Sequence, residues 1–317
     1  MTILANDGIS PAGKVKLEEA GYTVDETRVA QEQLSAYMKE HNVSALLVRS
    51  ATKVRQDLID SLDGQLKLIG RGGVGMDNID VDYAKGKGIH VINTPAASSR
   101  SVAELVFAHL FSMVRFLFDS NQKMPLEGDT NFKALKKNYG AGVELKGKTL
   151  GIVGFGRIGQ EVARMGYGLG MKIIAADRST DEVSLTIPFA DGQEITTKVS
   201  TVSLDEVLKE ADFLSIHVGG AGQSLIGKSE IAKMKDRAAI INTSRGGVVD
   251  EAALMDALSN GKLAYAGLDV FKNEPTPDMK LLMCGYVSLT PHIGAATLEA
   301  QDRIGEELAD QIIDLLK

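Results

Sequence analysis

Thr149-Leu150-Gly151-Ile152-Val153-Gly154-Phe155-Gly156-Arg157-Ile158-Gly159 runs from a short apolar strand into a glycine-rich turn, and Gln160-Glu161-Val162-Ala163-Arg164-Met165 continues it with helical spacing. Strand, turn and helix in that order give each glycine a task. The first makes the tight turn, and the second lets the backbone reach a pyrophosphate. The third lets the helix pack on the strand with its N-terminal amides facing the phosphates. Asp177 ends the next strand-like run, eighteen residues past Gly159, where a carboxylate can accept hydrogen bonds from the adenosine ribose hydroxyls. A 2'-phosphate would meet its charge, so the stretch reads as a site for NAD rather than NADP, held by Gly154, Gly156, Arg157, Ile158, Gly159 and Asp177.

Outward from this turn, short β-rich runs alternate with helical patterns. Before it come Thr2-Ile3-Leu4-Ala5, Ala45-Leu46-Leu47-Val48, Leu66-Lys67-Leu68-Ile69 and His90-Val91-Ile92. After it come Lys172-Ile173-Ile174-Ala175, Phe213-Leu214-Ser215-Ile216, Ala239-Ile240-Ile241 and Ala266-Gly267-Leu268-Asp269. That rhythm predicts two successive α/β units with parallel sheets. Residues 185–199 depart from it and read as a surface hairpin around Asp191-Gly192, with no role to assign.

With 317 residues the chain can form two domains, each burying its own core. A net charge of −7, from 35 basic and 42 acidic residues, argues against a polyanion-binding surface, so no nucleic acid is expected. A single cysteine, Cys284, excludes an internal disulfide, and the N-terminus lacks a signal-peptide pattern, which suggests a cytoplasmic protein. The apolar stretch 102–118 carries Glu104, His109 and Arg115, which suits a buried or interface helix better than a membrane span.

A second cluster, Gly70-Arg71-Gly72-Gly73-Val74-Gly75, follows a strand but leads into Met76-Asp77-Asn78, not a helix opening. Consecutive amides there suit a carboxylate, and a plain tight turn is equally consistent with the spacing. Three polar residues stand just past strand ends: Arg245, Glu274 and His292. Ligands of open α/β sheets bind outside such ends. Oxidising an alcohol removes a hydroxyl proton as the hydride leaves, and a histidine can take it near neutral pH. A carboxylate would orient the ring, and an arginine could pair with an α-carboxylate and polarise the C2 oxygen. Taken singly, each has a plainer reading, as a structural histidine, a turn cation and a solvated carboxylate. His41, His90, His109 and His217 have no comparable setting, and no metal-ligand spacing appears among the histidines.

Together these residues resemble the D-isomer-specific 2-hydroxyacid dehydrogenases along nearly the whole chain. The fingerprint with Asp177, the run Asn242-Thr243-Ser244-Arg245-Gly246-Gly247-Val248-Val249-Asp250-Glu251, then Leu268-Asp269-Val270-Phe271 with Glu274-Pro275, and Pro291-His292-Ile293-Gly294-Ala295 stand in the family's order. The resemblance implies His292 as acid/base, Glu274 as its partner and Arg245 as ligand of the carboxylate and C2 oxygen. It adds Thr243 and Asp269 to the cofactor residues, with Asp269 near the nicotinamide, and implies carboxylate-binding amides at Gly73 and Val74. It also implies an α/β fold of two doubly wound parallel-sheet domains. Residues 1–97 and 293–317 would form a flavodoxin-like substrate domain around an inserted Rossmann domain, 98–292. A homodimer is implied, with the long apolar helix in the contact.

Within the family, residues 46–54 and 69–75 most resemble the branch that oxidises D-3-phosphoglycerate to 3-phosphohydroxypyruvate in serine biosynthesis. There the arginines matching Arg49 and Arg71 contact the phosphate end. Rival readings are a dehydrogenase or reductase for an unphosphorylated acid such as glycerate, hydroxypyruvate or lactate, and an NAD-binding corepressor of the same fold. His217-Val218-Gly219-Gly220-Ala221-Gly222 departs from the family by lacking its usual proline at the adenosine-side loop.

Overall fold

The computed structural model describes residues 1–62, 64–220 and 222–316. They divide into two compact units, Met1–Ser101 with Ala295–Lys317, and Val102–Gly294. The first begins β1 (Thr2–Ala5), α1 (Pro11–Glu19), β2 (Thr23–Asp25), α2 (Leu34–Glu40), β3 (Val43–Val48) and α3 (Gln56–Ser61). It continues β4 (Leu68–Arg71), α4 (Val81–Gly86) and β5 (His90–Asn93), after which α5 (Ser99–Val114) carries the chain into the second unit. The sheet order is β2-β1-β3-β4-β5, all parallel, as in a flavodoxin-like doubly wound fold.

Period-two burial shows why these strands sit between two helix layers. In β3, Leu46 and Val48 face one core with Leu34 and Leu58, while Ala45 and Leu47 face the other with Ile304 and Leu308. A one-residue register slip would exchange the two sets, so the pairing is strongly specified. Ile304 and Leu308 belong to α13 (Leu298–Leu315), which is part of this unit and packs on α1. Contact there is backbone to backbone: a Cβ on Gly13 would lie 2.6 Å from the Gly305 carbonyl carbon.

The second unit runs on through α6 (Leu117–Glu127), α7 (Phe132–Asn138), β6 (Thr149–Val153), α8 (Arg157–Gly168) and β7 (Lys172–Ala176). A hairpin of β8 (Glu182–Pro188) and β9 (Glu194–Ser200) precedes α9 (Leu204–Glu210), β10 (Phe213–Ile216), α10 (Lys228–Lys233) and β11 (Ala238–Asn242). Then come α11 (Glu251–Ser259), β12 (Leu263–Leu268), α12 (Met279–Leu282) and β13 (Val287–Leu289), after which the chain re-enters the first unit. The parallel order is β13-β12-β11-β10-β6-β7. Beyond β7 lies one further bridge, Ala175 with Thr201, where a Rossmann sheet places its third strand. The antiparallel hairpin fills the crossover before that remnant and rests on α8, where the Arg164 Nε donates to the Thr186 carbonyl at 2.8 Å.

Two boundaries differ from the sequence reading. The units divide after Ser101 and after Gly294, a few residues beyond 97 and 292. The first turn of α5 stays with the first unit because Ser101 Oγ bonds Thr297 Oγ1 at 2.8 Å. Ile293 and Gly294 stay with the second because the Asp269 carboxylate holds both their amides. The apolar stretch 102–118 is also not one helix. Phe116 adopts a left-handed φ of 54°, and α5 and α6 meet there at a bend of 53°. No single helix among the described residues is long and apolar enough to cross a membrane.

Candidate active site

The turn after β6 has the geometry its glycines suggest. Gly154 has φ +92°, and a Cβ there would sit 2.5 Å from the His217 carbonyl oxygen. A Cβ on Gly159 would fall against the Gly154 carbonyl, so helix and turn meet at a distance only glycine permits. Gly156 is open and exposed, and it caps α8 without any side-chain bond. The amides of Arg157 and Ile158 therefore start a twelve-residue helix with no side-chain cap, an arrangement that suits an anion. Asp177 closes the turn from behind, accepting from Phe155 N at 2.7 Å and from Ser179 N at 2.9 Å. Burial raises the pKa of this carboxyl, but the Ser179 and Phe155 amides outweigh it and hold it below the ordinary aspartate value.

Three adjacent strands deliver the polar trio to the same carboxyl end of the sheet. At the end of β11, Asn242 Nδ2 donates to the Arg245 carbonyl at 3.0 Å and its Oδ1 accepts from Ser244 N and Oγ, which shapes the Ser244-Arg245 turn. Arg245 Nη1 donates to the Ser244 carbonyl at 2.7 Å. After β12, Glu274 is tied by Phe271 N to Oε1 at 2.9 Å, and its Oε2 lies 2.8 Å from His292 Nδ1. An ionised carboxylate only accepts, so Nδ1 carries the proton and Nε2 is left to exchange one with a ligand. After β13, His292 has φ +55°, a strained backbone for a non-glycine residue, held by its amide to the Asp269 carbonyl at 2.8 Å. A cavity of about 440 Å³ opens beside the pair, lined by Phe271, Pro275, Leu289 and Pro291.

The first unit carries the other set. Arg49 follows β3 and Arg71 ends the adjacent strand β4, and both border the glycine loop: the Arg49 stem lies against Gly72, and the Arg71 guanidinium folds over Gly73. Asp7 and Asn78, which the sequence reading passed over, fix the Arg49 backbone, Asp7 Oδ2 accepting Arg49 N at 2.7 Å and Asn78 Nδ2 donating to Arg49 O at 2.8 Å. The Gly73 amide is not open as expected. It donates to Thr94 Oγ1 at 2.7 Å, a partner twenty-one residues away, whereas the Val74 amide has no acceptor among the described residues. In the loop after His217, Gly220 approaches Arg245, and Ala221 lies outside the described residues.

Residues 107–294 match the model of the D-isomer specific 2-hydroxyacid dehydrogenase NAD binding domain. The hydroxypyruvate reductase of Thermotoga maritima is 46% identical over 275 residues, covering 85% of this chain and 84% of that protein. The chain belongs to the D-isomer-specific 2-hydroxyacid dehydrogenase family. The dehydrogenase is also similar to the D-3-phosphoglycerate dehydrogenase of Methanocaldococcus jannaschii, 40% identical across 99% of this chain and 57% of the relative, so it spans little more than half of that protein. The TT0316 protein of Thermus thermophilus superposes with a TM-score of 0.84 at 30% identity, over 100% of this chain and 97% of that one. A nicotinamide cofactor follows from the family, and the residues present fit it. The Gly154–Gly159 cradle is one observation; another is Thr243 Oγ1, buried at the end of β11 with no hydrogen-bond partner among the described residues.

Proposed function

We propose that this dehydrogenase oxidises D-3-phosphoglycerate at C2, using NAD, with His292 as base, Glu274 as its partner and Arg245 as ligand of the substrate carboxylate. The observation that carries the substrate is the Arg49–Arg71 pair on either side of Gly72-Gly73. A phosphate dianion approaching a chain of net charge −7 needs local cations, and planar guanidinium groups can donate paired hydrogen bonds to its oxygens. Arg245 pairs with the α-carboxylate and, beside the C2 oxygen, favours the charge that builds there. His292 Nε2 takes the hydroxyl proton as the C2–H bond breaks, and the Glu274 carboxylate favours the imidazolium that results. A bound nicotinamide supplies the hydride acceptor. In reverse, His292 returns the proton to the keto oxygen.

A second reading has its own support. The hydroxypyruvate reductase of Thermotoga maritima matches this chain at nearly equal length, unlike the phosphoglycerate dehydrogenases. Turnover of D-3-phosphoglycerate with NAD, measured beside that of hydroxypyruvate with NADH, separates the two. A kcat/KM higher for the phosphorylated acid is expected, and the reverse order ends the first reading. His292→Ala should lower turnover by about 10²- to 10⁴-fold for whichever acid is used. We infer that the protein is a homodimer through α5 to α7, where Phe111, Leu117, Phe118, Leu126 and Phe132 are exposed apolar side chains. A monomer mass by light scattering contradicts it.

A further inference from the structure

His109 has no part in the candidate site, yet it is the one histidine of α5, 2% exposed on a helix that otherwise buries Ala103, Val106, Phe107, Leu110 and Met113. An imidazole in such a layer is costly unless both ring nitrogens are satisfied. The sheet makes room for it: β12 presents Gly267, where a Cβ would lie 2.8 Å from His109 Cβ. The ring reaches β13 and the residue after it, with Nδ1 2.8 Å from Ser288 Oγ and Nε2 3.1 Å from Thr290 Oγ1.

Donor arithmetic fixes the direction of this chain. The Thr290 hydroxyl has one hydrogen and gives it to Asp269 Oδ1 at 2.6 Å. Thr290 Oγ1 therefore accepts from His109, so Nε2 carries the hydrogen. Nδ1 is then the acceptor, and Ser288 Oγ donates to it. Burial pushes the His109 pKa down, with the Asp269 charge opposing, so the neutral ring that this arrangement needs is the one present at neutral pH. Asp269 is 1% exposed, and its two oxygens also accept Ile293 N and Gly294 N, each at 2.8 Å. Both amides follow directly on His292.

We propose that His109 is a positioning residue for the reaction: through Thr290 it orients the Asp269 carboxylate, and so holds the 290–294 loop in the backbone that presents His292. A hydroxyl freed of His109 would still bond Asp269, but in more than one rotamer. The loop, already in a strained conformation at His292, would then sample others. The effect on turnover rests on the reading of His292 as the base; the effect on the loop does not.

The test uses the full chain and three variants: His109→Leu, which keeps bulk and removes both ring bonds, His109→Gln, whose amide can still donate to Thr290, and Thr290→Val. Amide exchange of the peptide carrying Ile293 and Gly294 is read by mass spectrometry, alongside kcat and KM for the acid the wild type uses. In His109→Leu, exchange of that peptide should rise by about 3- to 10-fold, the loss of roughly one hydrogen bond. Its kcat should fall by about 10-fold, as expected for a displaced reacting group. His109→Gln should recover most of both. Thr290→Val and His109→Leu should be non-additive, because they cut the same chain. Wild-type exchange in His109→Leu overturns the inference, and so does a His109→Gln variant as impaired as His109→Leu, which reports packing alone. If the wild type turns over no 2-hydroxy acid, the proposed function falls, while the exchange comparison still decides the role of His109.

Discussion

Two glycine-rich loops follow parallel strands in this chain, Gly70–Gly75 after β4 and Gly154–Gly159 after β6, and they are built differently. The second passes at once into α8, so its glycines clear backbone: Gly159 clears the Gly154 carbonyl, and Gly156 leaves the amides that start α8 without a side-chain cap. In the first no helix begins until Val81, and the space over Gly73 holds the Arg71 guanidinium. In the function proposed above, one loop would offer backbone dipoles to a phosphate of the cofactor, and the other arginine charge to the substrate. Glycine spacing is the same class of signal in both. What decides its meaning is the element that follows and the side chain that occupies the vacated volume.

The largest expected effect sets one loop against the other. In Gly159→Ala the new methyl meets backbone that cannot move aside, a clash worth up to about 3 kcal/mol, so NAD affinity should fall by about 100-fold. In Gly73→Ala the methyl meets the far end of a flexible side chain, though at a φ of +137° that an L residue rarely adopts. That variant should raise the KM for the acid while leaving NAD affinity near the wild-type value, measured by calorimetry. Equal losses of NAD affinity in the two would contradict a difference in role between the loops.

A smaller effect bears on the first loop alone. Arg49→Ala and Arg71→Ala should each raise the KM for D-3-phosphoglycerate by about 10-fold or more, since a charge-assisted hydrogen bond contributes on the order of 1.5 to 3 kcal/mol. Turnover of an unphosphorylated acid should change little, a pattern of lost binding without lost chemistry. If both variants keep the wild-type ratio between the two acids, the phosphate site lies elsewhere.

Local pattern was enough for much of this architecture, because most strands are apolar runs of four to six residues and the cofactor turn is continuous in sequence. β2 escaped it: Thr23-Val24-Asp25 is three residues long with one buried side chain. The break at Phe116 escaped it too, since a bulky residue inside an apolar run carries no mark of a left-handed backbone. Of the candidate site, the places of Arg245, Glu274 and His292 after strands were legible in the sequence. The partners that set them were not. Thr94 closes on Gly73 across twenty-one residues, and His109 meets Ser288 across 179, distances at which no periodicity operates. A buried histidine on an otherwise apolar helix face was the one available hint, and without a partner in view it reads equally as core.

The smallest expected effect concerns which dinucleotide the second loop prefers. Asp177 does two jobs in this structure, bracing Phe155 N inside the glycine turn and placing a negative charge beside it. Replacing it with alanine removes both, so a loss of NAD binding would say nothing about charge. Asp177→Asn separates them: the amide oxygen can still accept from Phe155 N, the NH2 gives up only the bond from Ser179 N, and the charge is gone. Two unit charges 4 Å apart in water interact by about 1 kcal/mol, close to a fivefold ratio. The preference for NAD over NADP, taken as a ratio of kcat/KM values, should therefore shrink by about fivefold in Asp177→Asn, through better use of NADP with NAD use nearly unchanged. The shift should be larger at low ionic strength, where a solvent-facing charge is less screened. If the wild type prefers NADP, or if Asp177→Asn leaves the ratio where it was, the carboxylate is a brace for the turn and the selection against a 2'-phosphate comes from other residues.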